Sequence, residues 1–322
     1  MTINRIRTLV EKDFTAVNSL IVNKIQSSIS LVDDLSKHIV ESGGKRLRPL
    51  LVLLASNACG YKGDAHIYLA ATIEFIHTAT LLHDDVVDES TLRRGRQTAN
   101  SIWGSKASIL VGDYLFTQSM QLMVDVGNFE VIKLITDTSF KISCGEVKQL
   151  ANRNNPALTF EEYFEIIRAK TAYLFATAAS IGAHLTQSSI QVQNNLYQYG
   201  LHLGNAFQLI DDALDYCSDA ETLGKNIGDD LADGKATLPL IHALQQGNEK
   251  QQYYIKESLK LGTLDFLPEI LSTLEETKAI AYTKSIAAQE VDSALSCLAI
   301  LPDSEYKTAL IDLAHFALER SF

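Results

Sequence analysis

The sequence predicts an all-α protein, and three observations carry that prediction. Apolar residues recur at intervals of three and four, as in Leu69, Ile73, Ile76 and Thr80 ahead of Asp84. The five prolines suit loops or helix starts, and sustained apolar–polar alternation of the kind a half-buried strand shows is missing. Pro49 follows a Gly-Gly turn, Pro156 follows Asn154-Asn155, and Pro302 precedes Asp303. Two capping boxes mark further starts, Thr159 with Glu162 and Ser188 with Gln191. The expected architecture is a bundle of about a dozen helices around a central cavity, with several helices apolar on most faces and therefore central. A length of 322 residues would allow two domains. No linker, repeat or low-complexity tract divides the chain, so one domain is expected over residues 1–322.

Composition narrows the chemistry. A formal net charge of −11 disfavours a general nucleic-acid binder, which shows a basic footprint. The four cysteines (Cys59, Cys144, Cys217, Cys297) lie far apart with no CxxC pair, the usage of reduced, packed thiols in a cytoplasmic protein. Residues Met1 to Val17 are interrupted by Arg5, Arg7, Glu11, Lys12 and Asp13, unlike a signal peptide. No run approaches the roughly 18 uncharged apolar residues of a membrane span, so none is expected.

The acids are concentrated where apolar helices should shield them. Leu81-Leu-His-Asp-Asp-Val-Val-Asp-Glu89 carries Asp84, Asp85 and Asp88, and Phe207-Gln-Leu-Ile-Asp-Asp-Ala-Leu-Asp-Tyr216 repeats the pattern with Asp211, Asp212 and Asp215. Positions i and i+4 share a helix face, so Asp84 projects with Asp88 and Asp211 with Asp215. Like charges at that spacing destabilise a helix by about 0.2–0.5 kcal/mol even when exposed, and burial makes unpaired carboxylates far more costly. One such cluster is usually a solvated helix end. Two, each among Leu, Ile and Val, call for cations, and all-oxygen ligands suit Mg²⁺ when phosphate oxygens and water complete its octahedron. Facing each other, the clusters could clamp one diphosphate.

Basic residues supply the other half. Gly43-Gly44-Lys45-Arg46-Leu47-Arg48-Pro49 reads as a turn into a new helix, whose N-terminus with Lys45 and Arg48 attracts anions. Arg93-Arg94 follows the first cluster where its helix should end. Lys170-Thr171 sits in a long helix, and Lys225 and Lys235 flank the loop beyond the second cluster. Each alone is a common surface feature, and Lys170 suits a snorkelling lysine equally well. Gly234-Lys235-Ala236-Thr237 lacks the spacing and preceding strand of a P-loop. His77 lies seven residues before Asp84 on roughly the same face, where core packing and phosphate contact are equally compatible with its spacing.

Together these motifs resemble the trans-polyprenyl diphosphate synthases, and most of all the bacterial octaprenyl diphosphate synthases among them. Ile73 to Ser90 with Arg93-Arg94-Gly95 looks like the family's first aspartate-rich motif, and Phe207 to Tyr216 like the second. Gly43 to Pro49, Gly145-Glu146, Lys170-Thr171 and Gly228 to Pro239 fit the remaining motifs in order. The resemblance covers about residues 5 to 320. It implies that Asp84 and Asp88 ligate two Mg²⁺ ions and Asp211 a third, with Asp85, Asp212 and Asp215 supporting. It implies isopentenyl diphosphate on Lys45, Arg48, His77 and Arg94, and allylic diphosphate on Arg93, Lys170, Thr171, Gln208, Lys225 and Lys235. Ala236 stands where the octaprenyl group often has proline, a departure that touches nothing catalytic.

The implied reaction adds isopentenyl units successively to an allylic primer, farnesyl diphosphate first among candidates, giving a long all-trans polyprenyl diphosphate for a quinone side chain. Family members commonly place the tunnel floor four and five residues before the first aspartate. Here Thr80 and Ala79 stand there, neither aromatic, so the tunnel should run deeper past Ile76 and Ile73, with Met120 and Met123 as a distal wall or as plain core. Octaprenyl is the expected product, with nona- and decaprenyl behind it, and a homodimer is implied. Three other readings compete. A class I terpene cyclase would have no use for a second diphosphate site built from Lys45, Arg48, His77 and Arg94. A regulatory subunit of a heteromeric synthase would be marked by loss of one aspartate cluster, and a ferritin-like di-metal bundle needs paired Glu-x-x-His motifs.

Overall fold

The computed structural model describes residues 3–41, 44–93, 95–217 and 227–319. It is 79% helical, with about 16 helices and, among the described residues, no sheet beyond a hairpin of two two-residue strands. The excess over a dozen comes from short pieces such as α1 (Ile3–Thr8) and α6 (Ala99–Trp103). Two further helices near the N-terminus, α2 (Glu11–Ile25) and α3 (Ser30–Glu41), pack beside α5 (Ala65–Val87) and α7 (Ser105–Val126) respectively.

Four helices form the centre: α4 (Leu47–Ala58), α5 (Ala65–Val87), α10 (Tyr173–Leu185) and α11 (Ile190–Leu214). Every residue of α10 from Leu174 to Ala183 is buried, because small side chains let its neighbours approach from both sides. A Cβ added at Gly182 would lie 2.4 Å from the Cα of Ser56 on α4, and one at Gly200 of α11 would lie 2.6 Å from the Cα of Ala176. α5 packs along α4 and along α7 (Ser105–Val126), and α11 packs against α16 (Ala279–Cys297). The buried apolar side chains of these helices belong to one core cluster running from Ile6 to Ala317.

α5 is long and apolar enough to cross a membrane by length and composition. Twelve of its residues are buried in the core, and it carries Glu74, His77, Asp84 and Asp85. Its apolarity is accounted for by helices on every side.

The start signals hold with one shift of register. Thr159 and Glu162 form the predicted capping box of α9 (Phe160–Ile167), whereas α11 is capped by Ser189, whose hydroxyl accepts from Val192 N–H, and not by Ser188. α4 begins at Leu47 behind Arg46, which takes the left-handed conformation (φ 43°) that the Gly-Gly pair had suggested for a glycine. Gly43 lies outside the described residues. The cysteines are all free, but Cys144 and Cys217 are exposed rather than packed.

Gly182→Ala should destabilise the protein by about 1–3 kcal/mol, because the methyl meets backbone on α4 rather than a flexible side chain. Urea denaturation reads this as a lower midpoint, and an unchanged midpoint would contradict so close an α4–α10 approach.

Candidate active site

Both aspartate clusters sit at the C-terminal ends of their helices. α5 ends at Val87 with Asp88 as its cap residue, and α11 ends at Leu214 with Asp215 as its cap residue. The clusters therefore straddle the last turn instead of lying inside the helices, and the negative end of each helix dipole adds to their charge. Cations are drawn there more strongly than the acids alone would manage.

Two lysines reach the first cluster from distant parts of the chain. Lys170 Nζ lies 3.3 Å from Asp84 Oδ2 and 3.4 Å from Glu146 Oε2, and donates to Gln149 Oε1 at 3.0 Å. Lys235 Nζ donates to Asp88 Oδ2 at 2.7 Å and to Asp233 Oδ2 at 2.8 Å. Burial works against the charge on both lysines, yet the facing carboxylates outweigh it and raise both pKa values: Asp84 and Glu146 for Lys170, Asp230 and Asp88 for Lys235. Burial likewise works against the charge on Asp88, and Lys235 outweighs it, holding that carboxyl below its usual range.

The second cluster is linked to the first through the adjacent residues Lys170 and Thr171, one paired with Asp84 and the other hydrogen-bonded toward Asp212. Residues Arg168–Ala172, between α9 and α10, form a π-helical turn that widens the helix at Lys170-Thr171. Lys170 points from it to Asp84, while Thr171 Oγ1 donates to Gln208 Oε1 at 2.7 Å. Gln208 Nε2 in turn donates to Asp212 Oδ1 at 2.8 Å, and the Tyr163 hydroxyl of α9 donates to Asp212 Oδ2. Burial, with Asp230 nearby, pushes the Asp212 carboxyl well up from the usual range, and these two donors act in the opposite sense. Asp215 Oδ2 accepts from Asp230 N–H at 3.3 Å.

Two adjoining hollows lie beside the clusters. One of about 100 Å³ has Asp212, Asp230, Lys170 and Gln208 on its wall, and one of about 20 Å³ has Asp84, Asp88 and Glu146. Gln149, Arg153 and Lys235 line both.

The other cations divide. Arg93 sits in the hairpin Leu92–Arg93/Arg96–Gln97, with Nε 2.9 Å and Nη2 2.7 Å from Asp85 Oδ1. Asp85 is 1% exposed, and its Oδ2 has no hydrogen-bond partner among the described residues. Arg48 Nη1 donates to His77 Nε2 at 3.1 Å, with the guanidinium carbon 4.5 Å over the Phe175 ring. His77 lies two helical turns, about 10 Å, before Asp84. The Lys45 ammonium lies over Phe316, 5.2 Å from the ring centre. Arg94 and Lys225 lie outside the described residues. Ile73, Ile76 and Ala79 are buried on α5, Met123 is buried on α7, Thr80 is half-buried with its hydroxyl on the His77 carbonyl, and Met120 is exposed.

A sequence profile of the family described as Polyprenyl synthetase matches residues 29–266. The chain belongs to that family. This polyprenyl synthetase is a trans-polyprenyl diphosphate synthase, a prenyltransferase. It is 44% identical over 321 residues to the octaprenyl diphosphate synthase of Escherichia coli, covering 99% of each chain. It is 45% identical over 312 residues to an all-trans-nonaprenyl-diphosphate synthase (geranyl-diphosphate specific) of Rhodobacter capsulatus, covering 97% of this chain and 96% of that one. A polyprenyl synthase from Caulobacter crescentus, crystallised with calcium and isoprenyl diphosphate, superposes with a TM-score of 0.95 at 41% identity, covering 99% of this chain and 98% of that one.

The donor set of the synthetase suits a hard cation. No three His, Cys, Asp or Glu side chains already converge as a closed metal cage among the described residues. Asp84, Asp88 and Glu146 on one hollow offer oxygen donors, which suit Mg²⁺ where phosphate oxygens and water complete its octahedron. The sequence pattern includes Glu146 and, within Gly228 to Pro239, Asp233 without giving either a role, and it does not single out Gln149, Tyr163 or Arg153. Gln149 stands one helical turn past Glu146 on α8 (Phe129–Ala151), the one local hint.

Tyr163→Phe removes one of the two donors to the buried Asp212 carboxylate. It should cost about 1–3 kcal/mol in a urea melt, and a full-strength fold would show that the bond is incidental.

Proposed function

We propose that this synthase extends an allylic diphosphate by successive addition of isopentenyl diphosphate, using one site in which both aspartate clusters act on the allylic diphosphate. The observation that supports it best is the joining of the clusters: Lys170 on Asp84, Lys235 on Asp88, and the Thr171–Gln208–Asp212 chain behind them. Asp84 and Asp88 would hold two Mg²⁺ ions and Asp211 a third, with Asp85, Asp212 and Asp215 as supporting acids. When bound, these ions supply positive charge to the leaving diphosphate.

The protein's own groups do the rest. Lys170 and Lys235, now on Asp84 and Asp88, can exchange those carboxylates for phosphate oxygens as cations take the acids. Thr171, Gln208, Arg93 and Lys225 complete the allylic diphosphate set, with Arg93 also fixing Asp85. Donors already aimed at the diphosphate stabilise its growing charge as the allylic C–O bond breaks. Arg48 and His77, with Lys45 and Arg94, hold isopentenyl diphosphate so that its double bond meets the allylic cation. A new C–C bond forms, and a proton leaves the adjoining carbon to restore an alkene. The departing diphosphate would take that proton, as the family resemblance implies, and the alkene itself supplies the electrons for the new bond, so no protein nucleophile is needed. Buried α5 and α10 residues offer walls that neither attack the cation nor admit water.

Octaprenyl is the favoured product, in keeping with the name of the Escherichia coli relative and with Ala79 and Thr80 ahead of Asp84, and farnesyl diphosphate is the proposed primer. The core cluster spanning Ile6 to Ala317 supports one domain over the chain. A homodimer is favoured by the exposed apolar row of Leu110 and Val124 on α7 with Phe140 and Val147 on α8, and sedimentation of a single chain mass would count against it. Cytoplasmic residence and a quinone destination for the chain fit the free thiols and the relatives.

Purified protein with Mg²⁺, farnesyl diphosphate and labelled isopentenyl diphosphate should give a long polyprenyl diphosphate on chromatography, and chelation should stop it. Absence of extension would sink the synthase reading, and a cyclic hydrocarbon from farnesyl diphosphate alone would favour a cyclase. Ala79→Tyr should shorten the product, and an unchanged length would remove Ala79 from the tunnel.

A further inference from the structure

Arg153 follows the cap residue Asn152 at the end of α8, and no motif singles it out. Its Nε donates to the Asp233 carbonyl at 2.7 Å, and its Nη2 lies 3.7 Å from Asp233 Oδ1. The next residue, Asn154, donates its N–H to the Gly234 carbonyl at 2.9 Å. The two turns are in such close contact that a Cβ at Gly234 (φ 68°) would fall 1.7 Å from Asn154 Oδ1. The end of α8 is thus a seat for the turn Asp233–Lys235.

Asp233 faces two cations with its two oxygens. Oδ1 is toward Arg153, and Oδ2 accepts from Lys235 Nζ at 2.8 Å. Lys235 is held at its backbone too, donating its N–H to the Asp230 carbonyl at 2.8 Å, and its ammonium extends to Asp88 at 2.7 Å. A lysine side chain has many rotamers, and an ammonium sets no direction of its own. Here the direction comes from Asp233, and Asp233 is seated by Arg153. As an isolated pair at 3.7 Å with a third of the guanidinium side chain exposed, Arg153 and Asp233 would contribute little to stability. What the pair governs is where one ammonium stands inside a shared cavity wall.

We propose that Arg153 is a positioning residue for Lys235, acting through Asp233 to set the ammonium where the allylic diphosphate is bound. This rests on the reading of Lys235 as an allylic-diphosphate residue given above. It predicts an effect on one substrate and not the other, since the Arg48–His77 pair is outside the Arg153–Asp233–Lys235 chain.

The test compares the full-length chain with Arg153→Ala, Arg153→Lys, Lys235→Ala and the Arg153→Ala/Lys235→Ala double variant, all with Mg²⁺. Arg153→Ala should raise the KM for farnesyl diphosphate about tenfold, the scale of one lost charge-assisted hydrogen bond, and leave that for isopentenyl diphosphate within about twofold. Arg153→Lys should recover part of the loss. In the Lys235→Ala background the same Arg153→Ala change should cost less than about twofold, because the two residues act as one unit. An equal cost in both backgrounds, a matching rise in both KM values, or no change would overturn the proposal. Amide hydrogen exchange of residues 229–237 gives a readout independent of turnover: Arg153→Ala should speed it, and unchanged exchange would overturn the proposal. Should the parent chain fail to elongate, the functional reading falls on its own account, and the exchange result still decides whether Arg153 seats the Lys235 turn.

Discussion

The structure depends on one electrostatic constraint: carboxylates gathered at the ends of two buried helices must be neutralised. Helix C-termini are already negative, so Asp84 and Asp88 on α5 and Asp211 and Asp215 on α11 compound a field that water is poorly placed to screen. Lys170 and Lys235 answer it at the first cluster, on Asp84 and Asp88, and the charge they carry prevails over burial because the carboxylates are there. Each is also a group that a phosphate oxygen can take over. In the proposed function, the same arrangement would let Lys170 and Lys235 pass from these carboxylates to diphosphate oxygens.

The rest of the fold keeps these helix ends together. Gly182 and Gly200 let α4, α10 and α11 approach almost backbone to backbone, which fixes where the far ends of α5 and α11 emerge. The π-helical turn at Arg168–Ala172 then turns Lys170 toward the first cluster and Thr171 toward the second, two neighbours serving two helices. A regular α-helix sets adjacent residues about 100° apart, and the extra residue of a π turn changes that phase where the site needs it.

What was legible in the sequence was local. The helical spacing of Leu69 to Asp84 and the Thr159–Glu162 cap each depend on residues within a turn of their neighbours, and both lie in helices as read. Asp88 and Asp215 read as interior positions because i, i+4 spacing does not show where a helix stops. Ser188 and Ser189 offer the same hydroxyl, so the choice of cap needed the three-dimensional frame. The partners of Lys170 and Asp233 were invisible for a plainer reason. Glu146 is 24 residues from Lys170 and Arg153 is 80 from Asp233, and no spacing rule connects such pairs. The π turn has no local signature in Arg168-Ala-Lys-Thr-Ala172.

Crystals grown with Mn²⁺ and a non-cleavable farnesyl thiodiphosphate test directly whether both clusters act on a single diphosphate through shared cations, because anomalous scattering locates each ion. Ions are expected on both sides of one diphosphate, touching Asp84 and Asp88 on one side and Asp211 on the other, with Lys170 and Lys235 turned onto phosphate oxygens. Ions confined to one cluster, or a diphosphate bound away from both, would contradict that expectation.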